Sequence, residues 1–121
     1  MHNEPVPLRK RLKEFALRII RLCSTLPQNN AGWVIGKQVL KSGTSIGANY
    51  CEAQRASSRR HFATTLEICL READETKYWL ELLSESGLID PALLASLDAE
   101  CEEIIRLLVA SVKSAKQHLE E

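Results

Sequence analysis

The sequence has no apolar run that approaches the roughly 20 residues a membrane-spanning helix needs. Residues 1–21 also lack the apolar core of a signal peptide, because charged side chains are interspersed among the apolar ones. There is no Cys-x-x-Cys pair, no phosphate-binding loop and no dinucleotide-binding fingerprint. These absences argue against a membrane protein, a secreted protein and a nucleotide-dependent enzyme. We therefore expect a cytoplasmic protein that does not bind membranes.

The composition is that of one soluble domain, with 121 residues, 45% of them hydrophobic and 26% charged. A chain of this length buries about two thirds of its unfolded surface, so its core needs no metal or disulfide. The net charge is zero, yet residues 1–60 carry +8, from 11 Lys and Arg against three Glu, and residues 61–121 carry −8. This asymmetry either attracts the two halves to each other, within or between copies, or marks the basic half as binding a polyanion.

Apolar residues recur at spacings of three and four along four segments, which is the period of an amphipathic helix. The predicted helices span about 8–26, 31–56, 59–85 and 91–119. Short breaks rich in Pro, Asn, Ser and Gly separate them, so neighbouring helices should run antiparallel. We predict an all-α fold, an antiparallel up-down-up-down four-helix bundle that forms a single domain over residues 1–121.

Four of the five glycines lie on the second predicted helix, at Gly32, Gly36, Gly43 and Gly47. At about 100° per residue they fall within roughly 60° of one another around the helix axis. Each costs about 1 kcal/mol relative to alanine in a helix interior. The row therefore predicts that another backbone segment comes close to this face.

Some apolar residues fall outside the core-facing stripes. Leu17 and Ile20 lie on the far side of helix 1, and Ile68, Trp79 and Leu82 form a second stripe on helix 3. One bundle of four helices cannot cover all five, and apolar stripes rimmed by charge indicate association. We predict a homo-oligomer with these five residues as contacts. The alternative is that helix 3 is simply the most central helix.

The four cysteines lie one on each predicted helix, at Cys23, Cys51, Cys69 and Cys101. An antiparallel bundle spreads them over roughly tens of ångströms, whereas a zinc ion needs sulfur ligands at about 2.3 Å. None of the three histidines follows a glutamate by three residues, as a di-iron carboxylate bundle requires. We therefore predict packed, reduced thiols, no metal site and no cofactor.

Polar residues on helices 2 and 3 are the candidates for acid–base chemistry. Glu72 and Glu75 interrupt the second stripe of helix 3, and paired carboxylates can transfer protons when one is desolvated. The alternative is a polar network that joins the two helices and fixes their register more than it adds stability. We adopt the network and predict no catalytic residue. Its members are Ser45, Asn49, Glu52, Glu72 and Glu75.

Cations cluster at the start of helix 1 and at the corner between helices 2 and 3. Antiparallel topology places both clusters at the same end of the bundle, where several phosphates could bind with strong salt dependence. No aromatic residues are interleaved for stacking on bases, and a solvated corner is the alternative. The candidate nucleic-acid contacts are Arg9, Lys10, Arg11, Lys13, Arg55, Arg59 and Arg60.

Two stretches, residues 42–53 and 72–83, resemble a bacterial family of four-helix-bundle proteins related to those encoded within 23S rRNA intervening sequences. The family has Ser-Ile-x-x-Asn followed by Glu on helix 2, and a Glu-rich stretch running into aromatic and leucine residues on helix 3. The helix 2 motif corresponds here to Ser45, Ile46, Asn49 and Glu52.

The resemblance extends over about residues 12–111, with three departures on helix 2. Gly47 stands where proline is frequent, Tyr50 replaces an aliphatic residue and Ala53 replaces a glycine. The resemblance implies an all-α bundle that associates into a ring, commonly a pentamer, with no established activity. A distant branch, the accessory proteins of diversity-generating retroelements, binds a reverse transcriptase and nucleic acid through a basic pentameric surface.

Two functions follow from these observations. The first is a non-enzymatic oligomeric scaffold or binding module of the 23S rRNA intervening sequence family, whose partner is a second copy of itself. The alternative is an accessory protein that binds RNA or a nucleic-acid-processing protein through the basic rim.

Overall fold

The computed structural model describes residues 6–119, and the regular elements in that range are four helices. These are α1 (Leu8–Cys23), α2 (Asn30–Ala53), α3 (Arg59–Ser86) and α4 (Pro91–Leu119). No strand occurs between residues 6 and 119, so the predicted all-α fold is confirmed over this range. The predicted domain covers 1–121, and its first five and last two residues lie outside the described ones.

Two helices end three residues before their predicted bounds. α1 ends at Cys23 instead of Leu26, and α2 ends at Ala53 instead of Ala56. In both turns, backbone hydrogen bonds that span three residues replace the four-residue bonds of the helix, and Pro27 cannot continue the first one. Leu26 continues the apolar spacing and is buried, although it lies in the turn.

Capping residues set the other ends. α2 begins at Asn30, one residue early, because the Asn29 side chain accepts a 2.8 Å hydrogen bond from a backbone N–H of the first turn. Ser58 caps α3 in the same way at 3.0 Å. α3 ends at Ser86, one residue late, because Gly87 adopts the left-handed conformation with φ of 79°.

The helices enclose a large buried apolar cluster and a smaller one that includes Ala53 and Leu66, and half-buried Tyr50 and Leu70 pack against both. Among the described residues α1 packs against α2, α2 against α3, α3 against α4 and α4 against α1, whereas no Cα atoms approach within 8 Å across either diagonal. The contacts are those of a four-helix bundle. Between residues 6 and 119 no helix combines the length and the apolar character that crossing a bilayer demands. The largest fully buried side chains include Leu12, Phe15, Ile19, Ile46, Leu66, Leu80, Leu83, Leu94, Ile104 and Leu108.

The glycine row of α2 faces α1 and the turn that follows it, so the predicted close approach is confirmed. A Cβ atom on Gly43 would lie 2.9 Å from Cγ1 of Ile19, and one on Gly32 would overlap the carbonyl oxygen of Pro27. A Cβ on Gly47 would lie 3.4 Å from Cβ of Leu12, which is an ordinary contact. The absence of side chains thus lets α1 lie directly against α2.

We expect Gly32→Ala to lower the free energy of unfolding by about 2 kcal/mol, because the Pro27 carbonyl must move to admit the methyl group. The matched control is Gly47→Ala, where the methyl group fits and helix propensity should add about 1 kcal/mol. Urea unfolding followed by circular dichroism measures both changes. Equal effects at the two positions would contradict the backbone approach at Gly32.

Candidate functional site

The two clusters of cations lie at the same end of the bundle. Arg9 and Lys13 of α1 line one depression of about 210 Å³ together with Cys51, near the end of α2. Arg59, at the start of α3, donates a 3.5 Å hydrogen bond to the carbonyl oxygen of His118 at the end of α4. The exposed cations here, which we call the basic end, form no ion pair among residues 6–119; they are Arg9, Lys10, Lys13, Arg55, Arg59 and Arg60.

Arg11, the seventh predicted nucleic-acid contact, instead joins α1 to α4. Its Nε and Nη2 atoms donate to the two carboxylate oxygens of Glu100 at 3.0 and 2.8 Å. These hydrogen bonds raise the pKa of Arg11, against the opposing effect of burial and with the attraction of Glu100 and Glu103. A two-pronged pair of this kind holds the guanidinium in place, so Arg11 is not part of the basic end.

The α2 members of the predicted network form no hydrogen bond to another helix among the described residues. Ser45 Oγ donates to the carbonyl oxygen of Lys41 at 2.6 Å, and Asn49 Nδ2 donates to the carbonyl oxygen of Ser45 at 2.8 Å. Glu52 is exposed, and its side chain forms no hydrogen bond within residues 6–119. Ser45 and Asn49 therefore bond back onto α2.

The carboxylates of α3 do not reach α2 either. Glu75 Oε1 accepts a 3.2 Å hydrogen bond from Nε1 of Trp79 on its own helix. Glu72 is half-buried and forms no ion pair in the described part of the chain. No hydrogen bond between the members of the predicted network crosses from α2 to α3 there.

A buried pair of hydroxyl groups joins the two helices instead. Thr76 Oγ1 lies 2.9 Å from Ser42 Oγ and 2.7 Å from the carbonyl oxygen of Glu72, so its proton is shared between them. Ser42 Oγ donates in turn to the carbonyl oxygen of Gln38 at 3.0 Å. Neither residue belongs to the predicted network; the available signal was a Ser and a Thr at core-facing positions of consecutive helices.

All four cysteines are free thiols. Burial raises the pKa of Cys69 and of Cys101 to about 12, which keeps both thiols protonated and weakly nucleophilic at neutral pH. The Cys101 thiol donates to the carbonyl oxygen of Ala73 at 3.6 Å. Residues 6–119 contain no group of three or more His, Cys, Asp or Glu side chains placed to hold a metal ion. His2, one of the three histidines, lies outside the described residues.

The predicted association contacts differ in their exposure. Leu17 is 43% and Ile20 48% exposed, whereas Ile68, Trp79 and Leu82 are half-buried on α3. The Trp79 ring meets the neighbouring Tyr78 ring edge-on, with centroids 5.3 Å apart. Apolar side chains therefore reach the surface on α1 and on α3.

This arrangement of helices and motifs has known relatives. Residues 6–110 match the family described as 23S rRNA-intervening sequence protein. The chain belongs to this family. Among solved structures, a protein of unknown function from the S23 ribosomal protein family of Bacteroides thetaiotaomicron VPI-5482 is 42% identical, with a TM-score of 0.83. The match covers 88% of this chain and 99% of that one. No curated protein matches the chain.

The family resemblance predicted from residues 42–53 and 72–83 is thereby confirmed. Neither the family description nor that of the similar crystal structure names an enzymatic activity. The link to the accessory proteins of diversity-generating retroelements remains a prediction.

In this family member the charge asymmetry is not neutralised within one copy. Of the 11 cations in residues 1–60, Arg11 alone forms an ion pair with a described residue. The other ion pairs lie on α3 and α4, for example Lys77 with Asp98 and Glu102 at 2.7 and 3.2 Å. Burial acts to lower the pKa of Lys77, but its hydrogen bonds to these two carboxylates outweigh burial, so the pKa lies above its ordinary value.

Sequence reasoning missed exposed apolar residues on α2 and α4. Trp33 and Val34 are each 60% exposed, Leu40 is 37% exposed and Leu93 is 70% exposed. Trp33 and Leu40 are seven residues apart and therefore lie on one face of α2. The signal in the sequence was this seven-residue spacing of two apolar residues that lie outside the core-facing apolar stripe of α2.

We expect Thr76→Val to lower the free energy of unfolding by about 1 kcal/mol, because the buried Ser42 hydroxyl loses its donor on α3. The matched control is Thr44→Val, whose hydroxyl bonds only to carbonyl oxygens of its own helix. That change should stay within about 0.5 kcal/mol of zero. Urea unfolding measures both, and equal losses would remove the case for Thr76 as the link between α2 and α3.

Proposed function

We propose that the chain is a non-enzymatic scaffold that works in the cytoplasm as a ring-shaped homo-oligomer, with five copies as the family resemblance implies. The observation that carries this proposal is the apolar surface at Leu17 and Ile20, which are 43% and 48% exposed and lie among cations of α1. Surfaces of this kind are typical of protein interfaces. The proposed contacts are Leu17, Ile20, Ile68, Trp79 and Leu82.

Each copy is proposed to be an up-down-up-down bundle. Between α1 and α2, Leu12 lies at Gly47 and Ile19 lies at Gly43, so residue numbers rise along one helix and fall along the other. This opposite order is expected of antiparallel neighbours. The same order supports antiparallel α3 and α4, in the pairs Glu67–Lys116, Ala73–Cys101 and Lys77–Asp98.

A scaffold fits the polar residues better than an enzyme does. Glu75 is exposed and Glu72 is only half-buried, whereas a catalytic carboxylate pair would need one desolvated member. The free thiols of Cys69 and Cys101 pack in the core, as a reducing cytoplasm permits. Function would then reside in a surface that several copies build together.

We expect the full chain to have several times the 13.6 kDa mass of one copy in light scattering at micromolar concentration. Replacing Leu17 and Ile20 together by Asp should shift the population to single copies, because it places charge in the apolar contact. The control is Leu93→Asp, at a 70% exposed position on α4, which should leave the mass unchanged. A wild-type chain that is monomeric would overturn the scaffold proposal.

The second candidate function is an accessory protein that binds RNA or a nucleoprotein. It is favoured by the basic end, where exposed cations such as Arg59 and Arg60 have no carboxylate partner among residues 6–119. In a ring these cations would repeat around one rim and act together by multivalency. Phosphates would be the ligands, because aromatic platforms for bases are absent from the two basic clusters.

We expect a labelled RNA hairpin to bind at low salt and to lose affinity by orders of magnitude at moderate salt. Replacing Arg59 and Arg60 by Ala should weaken binding and reduce the slope of log K against log salt by about 1 for each lost contact. The control replaces Lys116 and Arg106, which pair with carboxylates, and should leave the slope unchanged. Lack of retention at low salt would rule against this function and leave the scaffold.

A further inference from the structure

The contact line between α1 and α2 is a shallow groove on the outside of the bundle. Two depressions lie along α2 here: one of about 290 Å³, lined by Leu40, by Cys23 and by the turn after α1 at Pro27, and one of about 210 Å³, lined by Ala16 and Gly47. Ile20 stands four residues after Ala16 and three before Cys23, which lines the first depression. Ile20 therefore lies between the two depressions and makes them one surface, which we call the α1–α2 groove.

The groove combines an apolar floor with positive charge. Ile20 and Leu40 are 48% and 37% exposed, and Gly32, Gly36 and Gly47 line the two depressions. Arg9 and Lys13 flank one depression and Lys37 the other, whereas no carboxylate lines either one. None of these three cations forms an ion pair with a described residue.

The outer flank of α3 has the opposite character. Ile68, Glu72, Glu75, Trp79 and Leu82 follow one another at spacings of four and three, which places them on one face of the helix. The three apolar members are half-buried, and neither glutamate forms an ion pair within residues 6–119. We call this surface the α3 strip.

We propose that the α1–α2 groove of one copy holds the α3 strip of the next copy. This inference rests on the proposed ring and names the two surfaces that would build it. The groove offers an apolar floor and unpaired cations, and the strip offers an apolar edge and unpaired carboxylates. Complementary charge of this kind selects the correct partner surface and disfavours groove against groove.

The dimensions of the two surfaces agree. From Ile68 to Leu82 the strip is about 21 Å long at 1.5 Å per residue. The groove follows α2 from Trp33 to Cys51, which is about 27 Å by the same measure. The whole strip therefore fits within the groove.

The positions of the two surfaces favour a small closed ring. Because groove and strip are different surfaces, their contact is head-to-tail and generates a ring where the rotation closes. The groove lies on the α1–α2 side, and the strip borders the adjacent α2–α3 side, since Thr76 beside Glu75 reaches Ser42. Adjacent sides of a four-helix bundle face directions about 90° apart, so the ring closes at about four or five copies.

Charge reversal tests this pairing. One variant carries Lys13→Glu and Lys37→Glu in the groove, a second carries Glu72→Lys and Glu75→Lys on the strip, and a third carries all four changes. We expect each of the two double variants to have the mass of one copy in light scattering, which is four- to five-fold below the wild-type mass. The variant with all four changes should regain the wild-type mass, because its groove is acidic and its strip is basic.

The control reverses Arg60 and Lys113, exposed cations outside both surfaces, and should keep the wild-type mass. Circular dichroism shows whether each variant is folded. The groove-and-strip pairing would be overturned if both double variants kept the wild-type mass, or if the variant with all four changes did not regain it. The ring proposal would stand in either case. A monomeric or dimeric wild-type chain would overturn the ring itself.

Discussion

The constraint on which the rest of the structure depends is the close approach of α1 to the glycine row of α2. At Gly43 even one added carbon atom would lie 2.9 Å from the Ile19 side chain. This approach buries Ile19 completely, and it also positions α1 against α4, where Arg11 binds Glu100 and Arg18 donates to Ser96 Oγ at 2.9 Å. A side chain at Gly43 would push α1 outward and disturb both sets of contacts.

Each glycine costs about 1 kcal/mol relative to alanine, so a row of them weakens α2 as an isolated helix. Burial of the apolar face of α1 offsets that cost, because fully burying a side chain such as Leu12 or Phe15 contributes about 1.5–3 kcal/mol. Three members of the row, Gly32, Gly36 and Gly47, also line the two outer depressions between the helices and so contribute to the groove. One sequence feature thus serves the core and shapes the surface.

The helix count and the packed face of each helix could be predicted from the sequence. Apolar residues spaced three and four apart over segments this long indicate an amphipathic helix and no other regular structure. The ends at Leu26 and Ala56 could not, because each residue continues the apolar spacing while its backbone already forms three-residue turns. The close approach at Gly43 was also predictable, since a glycine row in a helix has few other physical explanations.

The candidate site was less predictable because its side chains have several partners within reach. A Ser or Asn in a helix bonds by default to a carbonyl oxygen of the preceding turn, and Ser45 and Asn49 do so. A run of cations does not reveal which member turns inward. Arg11 is the member that turns inward, because it alone among them faces the carboxylate of Glu100 on α4.

Charge links the two proposed roles of the molecule. In one copy the cations of α1 and α2 other than Arg11 and the carboxylates of the α3 strip form no ion pair among the described residues, so association would neutralise both at once. Arg9 and Lys13 belong to the basic end and also flank the groove, so a neighbouring copy and a polyanion would compete for them. Lys10, Arg55, Arg59 and Arg60 lie outside the groove and would stay available to phosphates in an assembled ring. Assembly would therefore reduce the number of cations available at the basic end of each copy. It would also repeat the remaining cations around the rim of the ring.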